Sequence, residues 1–313
     1  MAQAITYTRF GGPEVLALTD VEVPAPGPGE VAIRVEAAGV NPLDYKLRSG
    51  ARASGEITAP RRVGSDAAGV VTSVGADVEG FRPGDAVVVA GAAGAYATDL
   101  VVAADHVWPR PPAVSAPVGA ALGIPAGTAY QTLRSLAVGA GDTLLVNGGS
   151  GAVGQAVIQF ATLWGARVLA TTSDRRAARV RALGATPLSY AEGLAERIRA
   201  AAPEGITAAI DIAGTDEALA ASLALVPDRS RIVTLVRGKD ADDLGIRAFM
   251  GGSPRPLSPG ELAWRAEAIA VTLPLLAAGA FSVELGPTFA LRDAADAHRL
   301  VEEGVDGKVV LVP

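Results

Sequence analysis

The 313-residue chain has no cysteine and only two histidines, His106 and His298. The first absence excludes disulfides, thiolate metal sites and a cysteine nucleophile. The second leaves neither imidazole with a partner at ligand spacing. His106 follows a strand in a loop and His298 sits on a predicted helix among Ala and Leu, so both read as structural. Aromatic residues make up 4% of the chain and charged residues 19%. The core must then come from Ala, Val, Leu and Ile, which suits sheets covered by helices on both faces. A basic excess is also missing: the formal net charge is −6, without the basic footprint that nucleic-acid binding leaves. Long hydrophobic runs are absent too. The N-terminus, MAQAITYTRFGG, lacks the basic region and apolar core of a signal peptide. The most apolar window, Ala266 to Ala280, is interrupted by Glu267, Thr272 and Pro274 and is too short to span a bilayer. A soluble cytoplasmic protein without membrane or nucleic-acid partners is the expectation.

Glycine, by contrast, is plentiful at 37 residues. Its most informative cluster lies in LLVNGGSGAVG, from Leu144 to Gly154. Thr143–Val146 is an apolar run of the kind a buried parallel strand shows. Gly149, Gly151 and Gly154 follow in G-x-G-x-x-G spacing, with Ser150, Ala152 and Val153 between them, and Ala156–Ala161 continues as a helix. In a dinucleotide-binding turn the first glycine permits the sharp turn. The second lets backbone approach a pyrophosphate, and the third allows close packing of helix on strand. The helix N-terminus would then offer its unsatisfied N–H groups to the phosphates. A tight turn in some other α/β unit is the competing explanation.

Residues 1–110 read as mostly β, with runs at Val31–Ala37, Gly69–Val74 and Ala86–Ala90 between Gly/Pro turns. From about Gly119, helical stretches alternate with strands at Leu144–Val146, Val168–Thr171, Ala208–Ile212 and Ile232–Leu235. This is the pattern of a doubly wound parallel sheet. Gly238–Gly260, rich in Asp, Gly and Pro, reads as a mobile loop near a site. The end of the chain holds a helix (Glu261–Ala278), a strand (Pro287–Leu291), a helix (Asp293–Glu303) and a strand (Lys308–Val312) that return to pack on the first domain.

Several segments together resemble one family. They are Ala37–Gly50 (AAGVNPLDYKLRSG), Gly64–Val71 (GSDAAGVV), Phe81–Asp85 (FRPGD), Gly127–Tyr130 (GTAY), the glycine turn, Asp293–Arg299 (DAADAHR) and Gly307–Leu311 (GKVVL). In this order they resemble the zinc-independent quinone oxidoreductase (zeta-crystallin-like) branch of the medium-chain dehydrogenase/reductase superfamily, over essentially the whole chain. The resemblance implies an α/β protein with a GroES-like β-rich catalytic domain (1–118, completed by 263–313) and an inserted Rossmann domain (119–262). It also implies NADPH as reductant, a homodimer, and hydride transfer to a quinone or activated α,β-unsaturated carbonyl. The zinc-dependent relatives carry a cysteine where this chain has Asn41, a histidine in the segment holding Gly64-Ser65-Asp66, and a four-cysteine loop absent here. Zinc is therefore not expected to polarise the acceptor.

In dinucleotide folds an acid at the end of the second strand selects NAD, and its absence beside an Arg favours NADP. Thr172 occupies that place, followed by Ser173, Arg175 and Arg176, which suit a phosphate. Asp174 is the counter-evidence, since a small shift of register would put it on the ribose. Thr128 is a candidate for the nicotinamide side, Leu235 and Val236 for packing on its ring, and Tyr190 for covering the adenine. Around the acceptor, Asn41 could donate a hydrogen bond, Tyr45 could stack and Lys46 could stabilise an enolate. The bland readings are a turn start at Asn41-Pro42, Asp44 as a cap, Lys46 as a surface charge and Asp66 as an N-cap or core partner. No dedicated general acid is identifiable. The expected dimer edge is Ile232–Val236. Two further readings remain open: an enoyl or polyketide-type biosynthetic reductase, and a non-catalytic NADPH-binding regulatory protein.

Overall fold

A computed structural model describes residues 1–52, 54–249 and 255–313. The chain begins with β1 (Ala2–Tyr7), β2 (Ala17–Val21), β3 (Glu30–Gly39), α1 (Pro42–Arg48), β4 (Arg61–Arg62) and β5 (Asp66–Val74). It continues with β6 (Ala86–Ala90), β7 (Asp99–Ala103), β8 (Val107–Pro109), α2 (Ala116–Ala120) and α3 (Gly123–Ser135). An alternating stretch follows: β9 (Thr143–Asn147), α4 (Ala152–Leu163), β10 (Arg167–Thr172), α5 (Ala177–Ala182), β11 (Thr186–Ser189) and α6 (Leu194–Ala201). Next come β12 (Ala208–Asp211), α7 (Asp216–Leu225), β13 (Ile232–Thr234), α8 (Ala241–Leu244) and β14 (Arg247–Ala248). The last elements are α9 (Pro259–Ala277), β15 (Leu285–Ala290), α10 (Ala294–Glu303) and β16 (Lys308–Val312).

Two units result. The first comprises Met1–Ile124 and Ile269–Pro313, the second Pro125–Ala268. The sequence pattern places these changes at 118/119 and 262/263, about six residues earlier at each boundary.

The first unit is the GroES-like part. Strands β2, β1 and β4 form one small sheet, and β15-β16-β3-β5-β6-β8 form a larger one, with β7 also paired to β3. Pairing is antiparallel except between β15 and β16. Alternation along β3 and β5 sends Val31, Ile33, Val35, Ala67 and Val71 into a core shared with Val87, Val89, Leu100 and Val102. A second cluster seats Ala294 and Ala297 of α10 on Ile5, Tyr96, Val309 and Leu311.

In the second unit all strands are parallel, in the order β11-β10-β9-β12-β13-β14. Numbered within the unit this is 3-2-1-4-5-6, the doubly wound arrangement, whose order reverses between β9 and β12. Strand β9 is buried at every position, as a central strand covered on both faces must be.

The expected dimer edge, Ile232–Val236, is not an edge. Strand β13 stops at Thr234 and lies inside the sheet, because β14 adds Arg247 and Ala248 beside Val233 and Thr234. That strand and α8 arise within the segment expected as a loop, of which residues 250–254 lie outside the described residues. Among the described residues no helix is long and apolar enough to cross a membrane.

Candidate functional site

In the second unit the glycine turn joins β9 to α4. The left-handed residue of the turn is Gly148 (φ 90°), one position before the motif's first glycine. Its N–H is held by the Thr171 hydroxyl at 3.0 Å, and the N–H of Gly149 by the Thr171 carbonyl at 2.9 Å. A Cβ on Gly149 would lie 2.6 Å from Ala170 Cβ, so that glycine serves packing on β10. On Gly154 a Cβ would lie 2.2 Å from Gly148 O and 2.8 Å from Gly149 Cα, which lets α4 sit directly on the turn. Gly151 differs, because a Cβ there would meet protein only at 3.8 Å. It is the exposed N-cap of α4, ahead of Ala152 and Val153, whose N–H groups have no intrahelical acceptor. Gln155 braces the turn by donating to Ser150 O at 2.8 Å and accepting from Arg179 Nε at 2.9 Å.

Thr172 is the last residue of β10, and its buried hydroxyl has no hydrogen-bond partner among the described residues. Ser173 follows with a hydroxyl that makes no capping bond, and Arg175 and Arg176 lie on the next short turn, where Asp174 is exposed. Tyr190 stands directly after β11 and is 58% exposed. An orphaned hydroxyl, two guanidinium groups and a turn open at Gly151 fit a phosphorylated dinucleotide. Leu235 is buried and Val236 exposed just beyond β13. Thr128 is buried on α3, with its hydroxyl accepting from Arg265 Nη2 at 3.1 Å.

In the first unit a buried polar core surrounds α1. Asn41 precedes the helix, and its N–H donates to Asp44 Oδ2 at 2.8 Å, closing the first turn. Asp44 therefore braces the cap from the third helical position instead of being the cap. The Asn41 amide is fully buried. Its Oδ1 accepts from Lys308 Nζ and its Nδ2 donates to Asp66 Oδ2 at 2.9 Å. Both ends are engaged within the protein, leaving Asn41 without the free donor asked of it by the sequence. Asp66 Oδ2 also accepts from the Ile124 N–H at 2.9 Å, at the start of α3.

The Tyr96 hydroxyl donates to Asp44 Oδ2 at 2.8 Å, and His298 Nε2 lies 3.4 Å from that hydroxyl. With the Tyr96 proton directed at Asp44, we assign the Nε2–H tautomer to His298. One turn along both helices, Arg48 donates to Glu302. Two rungs four residues apart thus tie α1 to α10 and fix the helix carrying Tyr45 and Lys46, both half-buried. Burial pushes the Asp44 carboxyl up to about 7, against the hydrogen bonds from Asn41 and Tyr96. Burial likewise brings the Lys308 ammonium down to about 8, opposed by Asp66 and Asp44. His298 falls to about 3, through burial and then the Arg48 charge. Tyr96 is held well above its ordinary value by burial and by Asp44. His106, elsewhere, donates from Nδ1 to Ala90 O at 2.8 Å.

Sequence reasoning missed Tyr96 and Lys308. Lys308 carried one signal: it opens the apolar run KVVLV, where a strand buried at its first four positions also buries the lysine. No cluster of three His, Cys, Asp or Glu suited to a metal occurs among the described residues.

Comparison with known proteins agrees with this architecture. Residues 27–112 match the alcohol dehydrogenase GroES-like domain and residues 152–253 the zinc-binding dehydrogenase family. The mouse (Mus musculus) quinone oxidoreductase is 43% identical over 177 residues, covering 56% of this chain and 53% of that protein. The chain thus spans about half the length of the mammalian relatives it matches. Pseudomonas aeruginosa quinone oxidoreductase is 31% identical over 328 positions and all of both chains. Escherichia coli quinone oxidoreductase, solved in complex with NADPH, superposes with a TM-score of 0.84 at 26% identity, covering 99% of this chain and 100% of that one. The chain belongs to the quinone oxidoreductase branch of the medium-chain dehydrogenase/reductase superfamily.

Proposed function

We propose that this chain is an NADPH-dependent oxidoreductase that reduces a quinone or an activated α,β-unsaturated carbonyl without a metal. The observation that carries the reading is the pairing of the open turn at Gly151 with the orphaned Thr172 hydroxyl beside Ser173, Arg175 and Arg176. In this reading the amides at the start of α4 and the Ser150 backbone hold the pyrophosphate, and Thr172, Ser173, Arg175 and Arg176 hold the 2′-phosphate. Tyr190 covers the adenine, while Thr128, Leu235 and Val236 serve the nicotinamide half.

Bound NADPH supplies a hydride from its nicotinamide C4. The acceptor takes up that hydride, an enone at its β-carbon, and the enolate or hydroquinone anion that results gains one proton, for which solvent suffices. We assign Tyr45 to stacking on the acceptor and Lys46 to stabilising its developing negative charge. The Lys46 ammonium has no ion-pair partner among the described residues. Asn41 acts from behind them by setting the start of α1. The metal-free reading is supported by Lys308, whose ammonium sits on Asn41 Oδ1 and would repel a divalent cation there.

The chain is further proposed to form a homodimer, with β14 as the available sheet edge. The functional test is NADPH oxidation against a panel of quinones, enones and enoyl thioesters, alongside NADPH titration. Turnover confined to enoyl thioesters would assign a biosynthetic reductase. Tight NADPH binding without turnover would assign a regulatory protein, and absence of NADPH binding would refute the reading.

A further inference from the structure

A fully buried carboxylate, Asp211, ends β12, and a fully buried hydroxyl, Thr234, ends the adjacent β13. Asp211 Oδ1 accepts from the N–H groups of Ala213 at 3.1 Å and Gly214 at 2.8 Å, shaping the loop after β12. Its Oδ2 accepts from the Thr234 hydroxyl at 2.8 Å. The same Thr234 oxygen then accepts from the N–H groups of Val236 at 3.2 Å and Arg237 at 2.9 Å, shaping the loop after β13. One carboxylate and one hydroxyl therefore fold two loops at once. Arg237 adds an outer latch, donating to Asp216 Oδ1 at 2.7 Å and to Gly214 O at 3.3 Å. The loops also touch: a Cβ on Gly214 would lie 2.7 Å from Val236 Cγ1.

The place of this clasp gives it a function. Ligands of open α/β sheets lie across the carboxyl ends of the strands, where the strand order reverses. Here that point lies between β9 and β12, and the glycine turn after β9 packs on the β12 loop, with Ile212 C and Ala213 N both 3.3 Å from a Cβ built on Gly148. Thr172, Arg175, Arg176 and Tyr190 assign the adenosine half to the β10 and β11 side. The remaining half of a dinucleotide then extends over the β12 and β13 loops.

We propose that Asp211 and Thr234 are positioning residues that hold the Ala213–Gly214 and Leu235–Arg237 backbone in the shape that receives the nicotinamide. This rests on the NADPH reading above. Neither side chain touches cofactor, and each acts through the backbone it holds.

The experiment compares two ligands, NADPH and 2′,5′-ADP, which lacks the nicotinamide half. Affinities are measured by titration for the wild type, Thr234→Val and Thr234→Ser, with amide hydrogen exchange at Val236 and Arg237. Thr234→Val keeps the volume but removes the hydroxyl, stranding an Asp211 oxygen and two N–H groups. It should weaken NADPH by about tenfold or more, leave 2′,5′-ADP within about twofold, and speed exchange at both amides. Thr234→Ser restores the hydroxyl and should remain within about threefold of wild type for NADPH. If Thr234→Val does not fold, Asp211→Asn is read in the same way. Equal losses for both ligands, or no loss for either, would overturn the clasp while leaving the cofactor assignment intact. Failure of the wild type to bind either ligand would defeat the NADPH reading and the clasp with it.

Discussion

Substituting alanine at two glycines of one turn should give opposite phenotypes. At Gly154 the added Cβ would meet Gly148 O at 2.2 Å, Gly149 Cα at 2.8 Å and Gly149 C at 2.9 Å. All three are backbone atoms, so the turn must open or α4 must shift, at a cost of about 1–3 kcal/mol for overpacking. Alanine recovers up to about 1 kcal/mol of helix propensity. A 2.2 Å approach to a backbone oxygen puts the overpacking near the top of that range, so the net loss of about 2 kcal/mol lowers Tm by roughly 4–8 °C for a domain of this size. At Gly151 the backbone is ordinary (φ −73°, ψ 164°) and the nearest protein atom is 3.8 Å from the new Cβ. Stability should therefore change by less than about 0.5 kcal/mol. A pyrophosphate on this turn, however, would meet that methyl, and comparable overpacking of about 1–3 kcal/mol weakens NADPH roughly 5- to 150-fold. Thermal melts without cofactor and fluorescence titration with NADPH separate the effects. Wild-type NADPH affinity in Gly151→Ala would rule out a pyrophosphate on this turn, and an unchanged Tm in Gly154→Ala would rule out the close packing of α4 on it.

The rungs between α1 and α10 make further predictions. Glu302→Gln leaves the Arg48 guanidinium, 2% exposed, without its carboxylate. It should destabilise by about 3 kcal/mol in denaturant titrations, much of which Arg48→Met/Glu302→Gln together should recover. His298, lowered from 6.5 to about 3, contributes stability that is present above pH 6.5 and lost as pH falls through 3. The slope is at most about 1.4 kcal/mol per pH unit, and His298→Gln should flatten the wild-type decline between pH 6.5 and 4. Asp44, raised from 3.8 to about 7, works in the other direction: its contribution is full below pH 3.8 and is lost as pH rises through 7. Asp44→Asn keeps an acceptor for Asn41 and Tyr96, so its melting temperature relative to wild type should rise between pH 5 and 8. A constant offset across that range would contradict the raised carboxyl.

Much of this was legible in the sequence because local pattern and structure agree there. The run Thr143–Gly154 becomes β9, turn and α4 as its periodicity demands, and Thr172 ends β10 where counting put it. The sharp bend falls one residue before the motif's first glycine, since spacing selects Gly149 whereas the strand ends at Asn147 and Gly148 makes the turn. Strand β14 was missed because two residues carry no period of their own and exist by pairing with β13. The polar core around Asn41 was hidden by distance along the chain. Asp66 meets Ile124, and Lys308 meets Asn41, only after the larger sheet has brought β16, β3 and β5 together.

The proposed function requires that NADPH bind through Thr172, Ser173, Arg175 and Arg176 and that its hydride pass to a quinone or enone. The most direct measurement is steady-state turnover of NADPH and NADH on a quinone and enone panel, for wild type, Arg175→Ala and Arg176→Ala. A charge-assisted bond to phosphate contributes roughly 1.5–3 kcal/mol, so each variant should weaken NADPH by about tenfold or more and spare NADH. Equal use of NADPH and NADH by the wild type, unchanged by either substitution, would contradict it.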